Sequence, residues 1–445
     1  MYQTDFIPGE LAARRARVLD VIGPEAVALL QGSPKESGHE LFRQSNDFYY
    51  LCGVSVPHAY LLLDGRDGST TLYLPHQSGE RAENEGRILS SDCPQLVTEL
   101  TGIKRVLGPE ALGAALSRAT AIYAPLRGGE TASNSWDTLQ RARQEANADP
   151  WEAQPERTRA FVDLLRRRLP QAELRDLCPI LDPMRLIKSE SEIAMARRAG
   201  KLSALGVIEG MRLTRPGVYE YQIDAAMRYV YLANGARDAA YRAIIASGEN
   251  IRYGHYNANN ACMCDGDMVL VDCAPDYHYY TSDIGRMWPV NGRYSAIQRE
   301  LYQFVITYHK VFLDLIGPGV SGEQITAEAA DRMRAHIQRN PPRHPLVAAG
   351  AEWALEFPYH MSHSVGMAVH DVGHYRGNQL QPGMIISLDP TLRVPSEHLY
   401  YRVEDTLLIT EDGIENLTAA APLELDEVEA LVGQGGILAD YPAES

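Results

Sequence analysis

The sequence predicts an α/β domain with a mixed sheet, followed by an α+β domain built from two similar halves. Three observations carry this reading. Helical stretches alternate with short apolar strands up to about residue 170. Beyond residue 189 long helices give way to strands, and the order then repeats. Two short fragments also recur in the same order within that second part.

The first domain is expected over residues 1–178 and the second over 179–445, two domains being the natural division of 445 residues. Residues 5–32 read as a helix with charged Glu10 to Arg17, then a strand through Glu25-Ala-Val-Ala-Leu-Leu30. The apolar runs Phe48–Cys52, Ala59–Leu63 and Thr71–Leu74 read as strands, with Gly65-Arg-Asp-Gly68 as a turn between two of them. Arg157–Arg168 is a basic amphipathic helix with a solvated face. Leu177–Pro183, with two prolines, is the candidate linker.

In the second domain Ser189–Asn234 is helical, with Glu190 and Glu192 in an early turn. Strands follow from Tyr241 to Val290, helices from Ser295 to Arg339, and strands from Phe357 to Ile409. Pro216-Gly-Val-Tyr-Glu-Tyr-Gln-Ile223 matches Pro318-Gly-Val-Ser-Gly-Glu-Gln-Ile325. Gly266-Asp-Met-Val-Leu-Val-Asp272 parallels Gly383-Met-Ile-Ile-Ser-Leu-Asp389. A duplication of this kind yields a pseudo-twofold domain with a site between its halves.

Composition narrows the function. Lys and Arg number 42 against 58 Asp and Glu, for a net charge of −16. That excess argues against a nucleic-acid backbone or an anionic membrane as partner. No apolar run approaches the roughly 18 residues of a membrane helix, and Met1–Leu19 lacks the apolar core of a secretory signal. Six cysteines in 445 residues do not make a disulfide scaffold. The expected location is the cytoplasm, and Cys262-Met-Cys264 is too close-set for the usual zinc pair.

The chemistry lies in two hairpins. Asp272 ends the strand Met268–Val271, and Asp283 lies in Tyr280–Met287. A turn centred between Tyr277 and His278 sets these two acids opposite each other. Asp389 ends Met384–Leu388, Glu404 lies in Tyr400–Ile409, and a turn centred between Ser396 and Glu397 makes the same pairing. Opposite Cβ atoms in such ladders are about 4.5–5.5 Å apart. Asp272, Asp283, Asp389 and Glu404 brought together could not all ionise unaided. Two divalent cations about 3.5–4 Å apart would relieve the repulsion. An added imidazole, available in His360-Met-Ser-His363 and His370-Asp-Val-Gly-His374, shifts the choice toward Mn, Fe, Co or Zn.

These residues resemble the pita-bread metallopeptidases: methionine aminopeptidase, prolidase, aminopeptidase P and creatinase. Four fragments carry the likeness across roughly 185–415. They are Ser247-Gly-Glu-Asn250 with His255, Val271-Asp-Cys-Ala-Pro-Asp-Tyr277 with Thr281-Ser-Asp-Ile-Gly-Arg286, Ser362-His-Ser-Val-Gly366 with Val369-His-Asp371, and Tyr401-Arg-Val-Glu-Asp405. Phe42–Gly53 and Arg185–Ile193 are similar to stretches of bacterial aminopeptidase P.

The resemblance implies that Asp272 and Asp283 bind metal, with Asp283 and Glu404 bridging two ions and His363 on one of them. The family's fifth ligand is a glutamate followed by Pro-Gly. Here Asp389 stands there, followed by Pro390-Thr391. Its symmetry with Asp272 supports a retained ligand, and the family position also serves as general base. His255 and His370 match histidines that orient substrate and stabilise the tetrahedral intermediate, and Arg402 matches an arginine beside the site. A further family histidine corresponds to Tyr359, with His360 next to it but off register. His278 and His374 read as loop or structural residues.

The implied cofactors are two divalent ions, Mn²⁺ first, with Zn²⁺, Co²⁺ or Fe²⁺ as alternatives. The implied reaction releases the N-terminal residue from peptides with proline second, by a metal-bridged hydroxide. Rival readings are a prolidase limited to Xaa-Pro dipeptides and a non-catalytic peptide- or protein-binding relative. The partners expected are proline-containing peptides and further copies of the chain in a dimer or tetramer. The N-terminal domain, lacking a catalytic motif, would serve that assembly and cover a neighbouring site.

Overall fold

The computed structural model describes residues 1–437 apart from 8, 36–40, 78, 80–82, 85, 87 and 152–155. It divides into two compact units, Met1–Arg185 and Leu186–Ser445. Among the described residues no helix is long and apolar enough to cross a membrane.

The first unit holds strands β1 (Ala26–Gln31), β2 (Tyr60–Asp64), β3 (Ser69–Tyr73), β4 (Arg105–Leu107), β5 (Ala121–Ala124) and β6 (Glu173–Asp176). Their order is β4-β3-β2-β1-β5-β6. Strands β1, β2 and β3 pair antiparallel, while the β3–β4, β1–β5 and β5–β6 pairs are parallel. The sheet is therefore mixed, as expected. Val27, Leu29, Leu62 and Ile122 pack on one face with Leu165 of the helix Arg157–Arg168. That helix keeps its arginines on the solvated side.

Two expectations fail here. Phe48–Cys52 is not a strand: it lies in the helix Asn46–Cys52, nearly all of it buried. A fully buried apolar run has no alternation to reveal its period. The decisive signals are at its ends. Ser45 is the extended N-cap residue, and Gly53 closes the helix at φ 66° with its N–H on Tyr49 O at 2.7 Å. Leu177–Pro183 is likewise no linker, because Cys178–Leu186 is a helix that tolerates Pro183 in its interior. An interior proline costs about 3 kcal/mol. Buried Leu181 and Met184 offset this, as does Arg185, which donates to Asp47 at 2.6 Å and Glu130 at 2.9 Å. Asp182 adds a two-point pair with Arg127 at 2.6 and 2.8 Å.

The second unit opens with the helices Glu190–Leu213 and Glu220–Ala233, then the antiparallel strands β7 (Ile244–Ser247), β8 (Met268–Asp272) and β9 (Gly285–Pro289). Helices Ala296–Leu313, Gly322–Arg339 and Pro345–Glu356 follow. The closing strands are β10 (Met361–Ser364), β11 (Ile385–Leu388), β12 (Thr391–Val394), β13 (Leu399–Arg402), β14 (Asp405–Ile409) and β15 (Ile414–Asn416). They form the sheet β10-β11-β14-β15 and the ribbon β12-β13.

The duplicated fragments do the same work in both halves. Gly217 and Gly319 both take φ above +80°, at 88° and 83°, each turning the chain after a proline. Gln222 and Gln324 each reach back to the N–H at the head of their helix, on Tyr219 at 2.8 Å and Ser321 at 3.1 Å. Tyr219 and Ser321 also make equivalent isolated bridges, to Cys262 and Gln379.

Candidate metal centre

The second hairpin follows the expected register. Thr391 pairs with Arg402 in the β12–β13 ribbon, and Leu388 pairs with Asp405 between β11 and β14. Asp389 and Glu404 fall opposite each other in the gap between these ladders. Glu404 instead exchanges both backbone hydrogen bonds with Gly285, at 3.0 and 3.1 Å. This bridge ties the two halves together at their carboxylates.

The first hairpin is corrected by two residues. Asp272 pairs with Gly285, not with Asp283. The turn is centred on His278-Tyr279, closed by Tyr277 and Tyr280, which exchange N–H···O bonds at 2.8 and 3.0 Å. His278 and Tyr279 have φ of 50° and 75°. A two-residue hairpin turn needs positive φ at both central positions to match strand twist. Moving the turn centre by one residue moves every cross-strand partner by two. Asp283 thus precedes β9, yet its side chain still lies near Asp272, because the one Tyr241 hydroxyl sits within hydrogen-bond distance of both, 2.6 Å from Asp272 and 2.8 Å from Asp283.

Arg402 stands at the centre of the acids. Its guanidinium touches Asp272, lies 3.3 Å from Glu404 and 3.7 Å from Asp389. His363 Nε2 is 3.3 Å from Asp283 Oδ2. The His370 ring centroid lies 4.2 Å from that of His363, and His255 lies 6.4 Å beyond it. Asp272, Asp283, Asp389, Glu404, Arg402, His363, His370 and His255 are thus joined into one cluster.

The site is buried and short of positive charge. Burial, then the neighbouring Asp272 charge, raises the Asp283 carboxyl to about 8. Burial and Asp283 push Glu404 well above the usual carboxylate range, and burial and Glu404 do the same to Asp389. Burial works against the Arg402 charge, but Tyr400 and the acids around it outweigh that and hold it protonated. Glu404 accepts from Ser387 Oγ at 2.6 Å through one oxygen, while the other, Oε2, is buried and faces Arg402 Nη1 at 3.3 Å in an ion pair without a well-aligned hydrogen bond. Asp283, His363 and Glu404 each offer a ligand atom within 4.8 Å of the others. Buried carboxylates with an imidazole fit a divalent cation of the Mn, Fe, Co or Zn group.

Tyr359 is 52% exposed, stacked beneath Arg376 with the guanidinium 4.6 Å from its ring. His360 is fully buried: one ring nitrogen accepts from Thr391 N–H at 3.2 Å and the other donates to Ala354 O at 2.7 Å. Its place is structural. Sequence reasoning missed Tyr241, Ser387 and Thr406, whose hydroxyl donates to Asp283 O at 2.7 Å and accepts from Asp283 N at 2.6 Å. Thr406 and Ser387 sit beside predicted acids in the strands, and that proximity was their available signal. Tyr241 carried none, since it lies far from its acids in sequence.

Residues 194–411 match the Metallopeptidase family M24, and residues 11–123 match the aminopeptidase P N-terminal domain. The chain is 31% identical to the Xaa-Pro aminopeptidase of Escherichia coli, over 95% of this chain and 97% of that one. It superposes on E. coli aminopeptidase P with the inhibitor Pro-Leu at a TM-score of 0.78 and 28% identity, covering 99% and 100% of the two chains. The zinc-substituted E. coli enzyme in complex with product gives 0.77 and 28%, covering 96% and 98%. The chain belongs to metallopeptidase family M24. Within that family it joins the Xaa-Pro aminopeptidases, sharing their N-terminal domain and pita-bread fold.

Proposed function

We propose that the protein is a metal-dependent exopeptidase that releases the N-terminal residue from peptides with proline in second place. The observation that carries this reading is the buried convergence of Asp283, His363 and Glu404, whose ligand atoms lie within 4.8 Å of one another, with Asp272 and Asp389 gathered beside them around Arg402. Asp272, Asp283, His363, Asp389 and Glu404 would hold two divalent ions, Mn²⁺ foremost. When bound, the ions supply an acidified water as nucleophile and polarise the scissile carbonyl.

The chain's own groups do the rest. His370, beside His363, donates toward the developing oxyanion. His255 orients the peptide from the far side of His370. Asp389, when ionised, takes a proton from the attacking water and returns it to the proline nitrogen. Arg402 holds Asp272, Asp389 and Glu404 in place and compensates their charge. Proline lacks an N–H and fixes φ, which general peptidases handle poorly. Six unpaired cysteines support a reducing, cytoplasmic setting.

The test is turnover of an Xaa-Pro-Xaa tripeptide and an Xaa-Pro dipeptide by metal-stripped protein after adding Mn²⁺. Tripeptide cleavage after the first residue is expected. Cleavage of the dipeptide alone would move the assignment to a prolidase, and the absence of both turnover and metal binding would replace it with a binding role.

A further inference from the structure

Arg393 is a cation without a counterion beside the histidine row. It sits on β12 opposite Tyr400. Its guanidinium carbon lies 4.5 Å from the Tyr400 ring centre and 5.8 Å from that of Trp353. Aromatic faces hold a guanidinium in place without neutralising it. Its Nε is buried with no hydrogen-bond partner, and among the described residues no carboxylate forms an ion pair with it. A Cβ built on Gly254 would lie 3.5 Å from its Nη2. The guanidinium therefore borders the backbone just before His255.

The ladder sets its distance from the acids. Thr391 and Arg393 share one face of β12, opposite Arg402 and Tyr400 respectively. Two residues along a strand span about 7 Å. An extended peptide covers the same distance in two residues. A group two residues along a bound peptide from the level of Arg402 thus reaches Arg393. The planar fork of arginine matches a carboxylate through two parallel hydrogen bonds.

We propose that Arg393 is a specificity-determining residue that receives the free C-terminal carboxylate of short peptide substrates. This rests on the peptidase reading above and adds a preference for tripeptide-sized free acids. The experiment compares Ala-Pro-Ala with its C-terminal amide on the Mn²⁺-loaded protein, for wild type, Arg393→Met and Arg393→Lys. Calorimetry of Pro-Ala and Pro-Ala amide on the same proteins gives a readout apart from turnover, and melting temperatures check the fold.

Wild type should favour the acid by about tenfold in kcat/KM, the worth of one charge-assisted contact. The ratio should fall to about one in Arg393→Met and to an intermediate value in Arg393→Lys, which keeps the charge but not the two-pronged geometry. Equal turnover of acid and amide by wild type overturns the proposal and leaves the peptidase reading standing. So does an Arg393→Met protein that keeps the preference. If neither peptide is cleaved, the peptidase reading fails, and equal affinities for Pro-Ala and its amide then overturn the role of Arg393 as well.

Discussion

Gly285 and Glu404 exchange both of their backbone hydrogen bonds, at 3.0 and 3.1 Å. That single bridge brings a strand of each half into register where both present their acids. Only glycine permits it, since a Cβ on Gly285 would lie 2.9 Å from Glu404 Cβ and 3.2 Å from Arg402 Nε. Gly285→Ala should therefore destabilise the protein by about 1–3 kcal/mol, as overpacking does, and weaken metal binding. Chemical denaturation with metal titration checks both, and an unchanged metal affinity would show the bridge to be dispensable.

Tyr241→Phe removes one hydroxyl shared by Asp272 and Asp283. Groups that orient ligands typically contribute about 10–100-fold in metal affinity. Metal affinity should fall about tenfold or more, with the fold intact by circular dichroism. Wild-type affinity in the variant would reduce Tyr241 to a packing residue.

The metal-free protein should lose stability as pH rises. Asp283 titrates at about 8 in the fold against an ordinary 3.8, with Glu404 and Asp389 raised too. A carboxyl raised in this way binds its proton more tightly when folded. Its contribution is complete below about pH 4 and disappears as pH climbs through about 8. Melting temperatures in chelator should fall across that window, and saturating Mn²⁺ should flatten the decline. A chelated protein equally stable at both ends would contradict the repulsion among these acids.

Asp389→Asn keeps the side-chain size but cannot hold the transferred proton. The expected loss in kcat is about a hundredfold or more, with an ion still bound through Asp283, His363 and Glu404. Metal content by mass spectrometry separates the two effects. Full activity in this variant would assign the base elsewhere.

Thiol chemistry should divide the cysteines by burial. Cys93, Cys262 and Cys264 are exposed, while Cys52, Cys178 and Cys273 are buried. Burial pushes the Cys52 and Cys178 thiols up to about 12 and Cys273 well above its usual value. A disulfide reagent at pH 8 should react quickly with the three exposed thiols alone, the remainder following only after denaturant. Fast reaction of Cys273 would mean that the chain just after β8 opens readily.

Much of the second unit was legible because its signals are local and doubled. The aligned Pro-Gly turns and capping glutamines mark both helix starts, and the apolar runs before Asp272 and Asp389 mark both strands. Where the signal was a cap rather than a period, as at Ser45 and Gly53, the apolar run alone misled. Where the signal was a turn geometry, as at His278-Tyr279, non-glycine residues with positive φ concealed the register.

The sequence alone determined the identity of the acids, their order, the duplication and the family. These follow from residue type and spacing along the chain. Only the tertiary structure decided that Asp272 pairs with Gly285, that Glu404 bridges the halves, that Tyr241 joins two acids, and that Arg393 stands uncompensated beside His255. Each of these is a relation between residues far apart in sequence. Such relations are set by strand register and by the satisfaction of buried polar groups, which only the folded chain can settle.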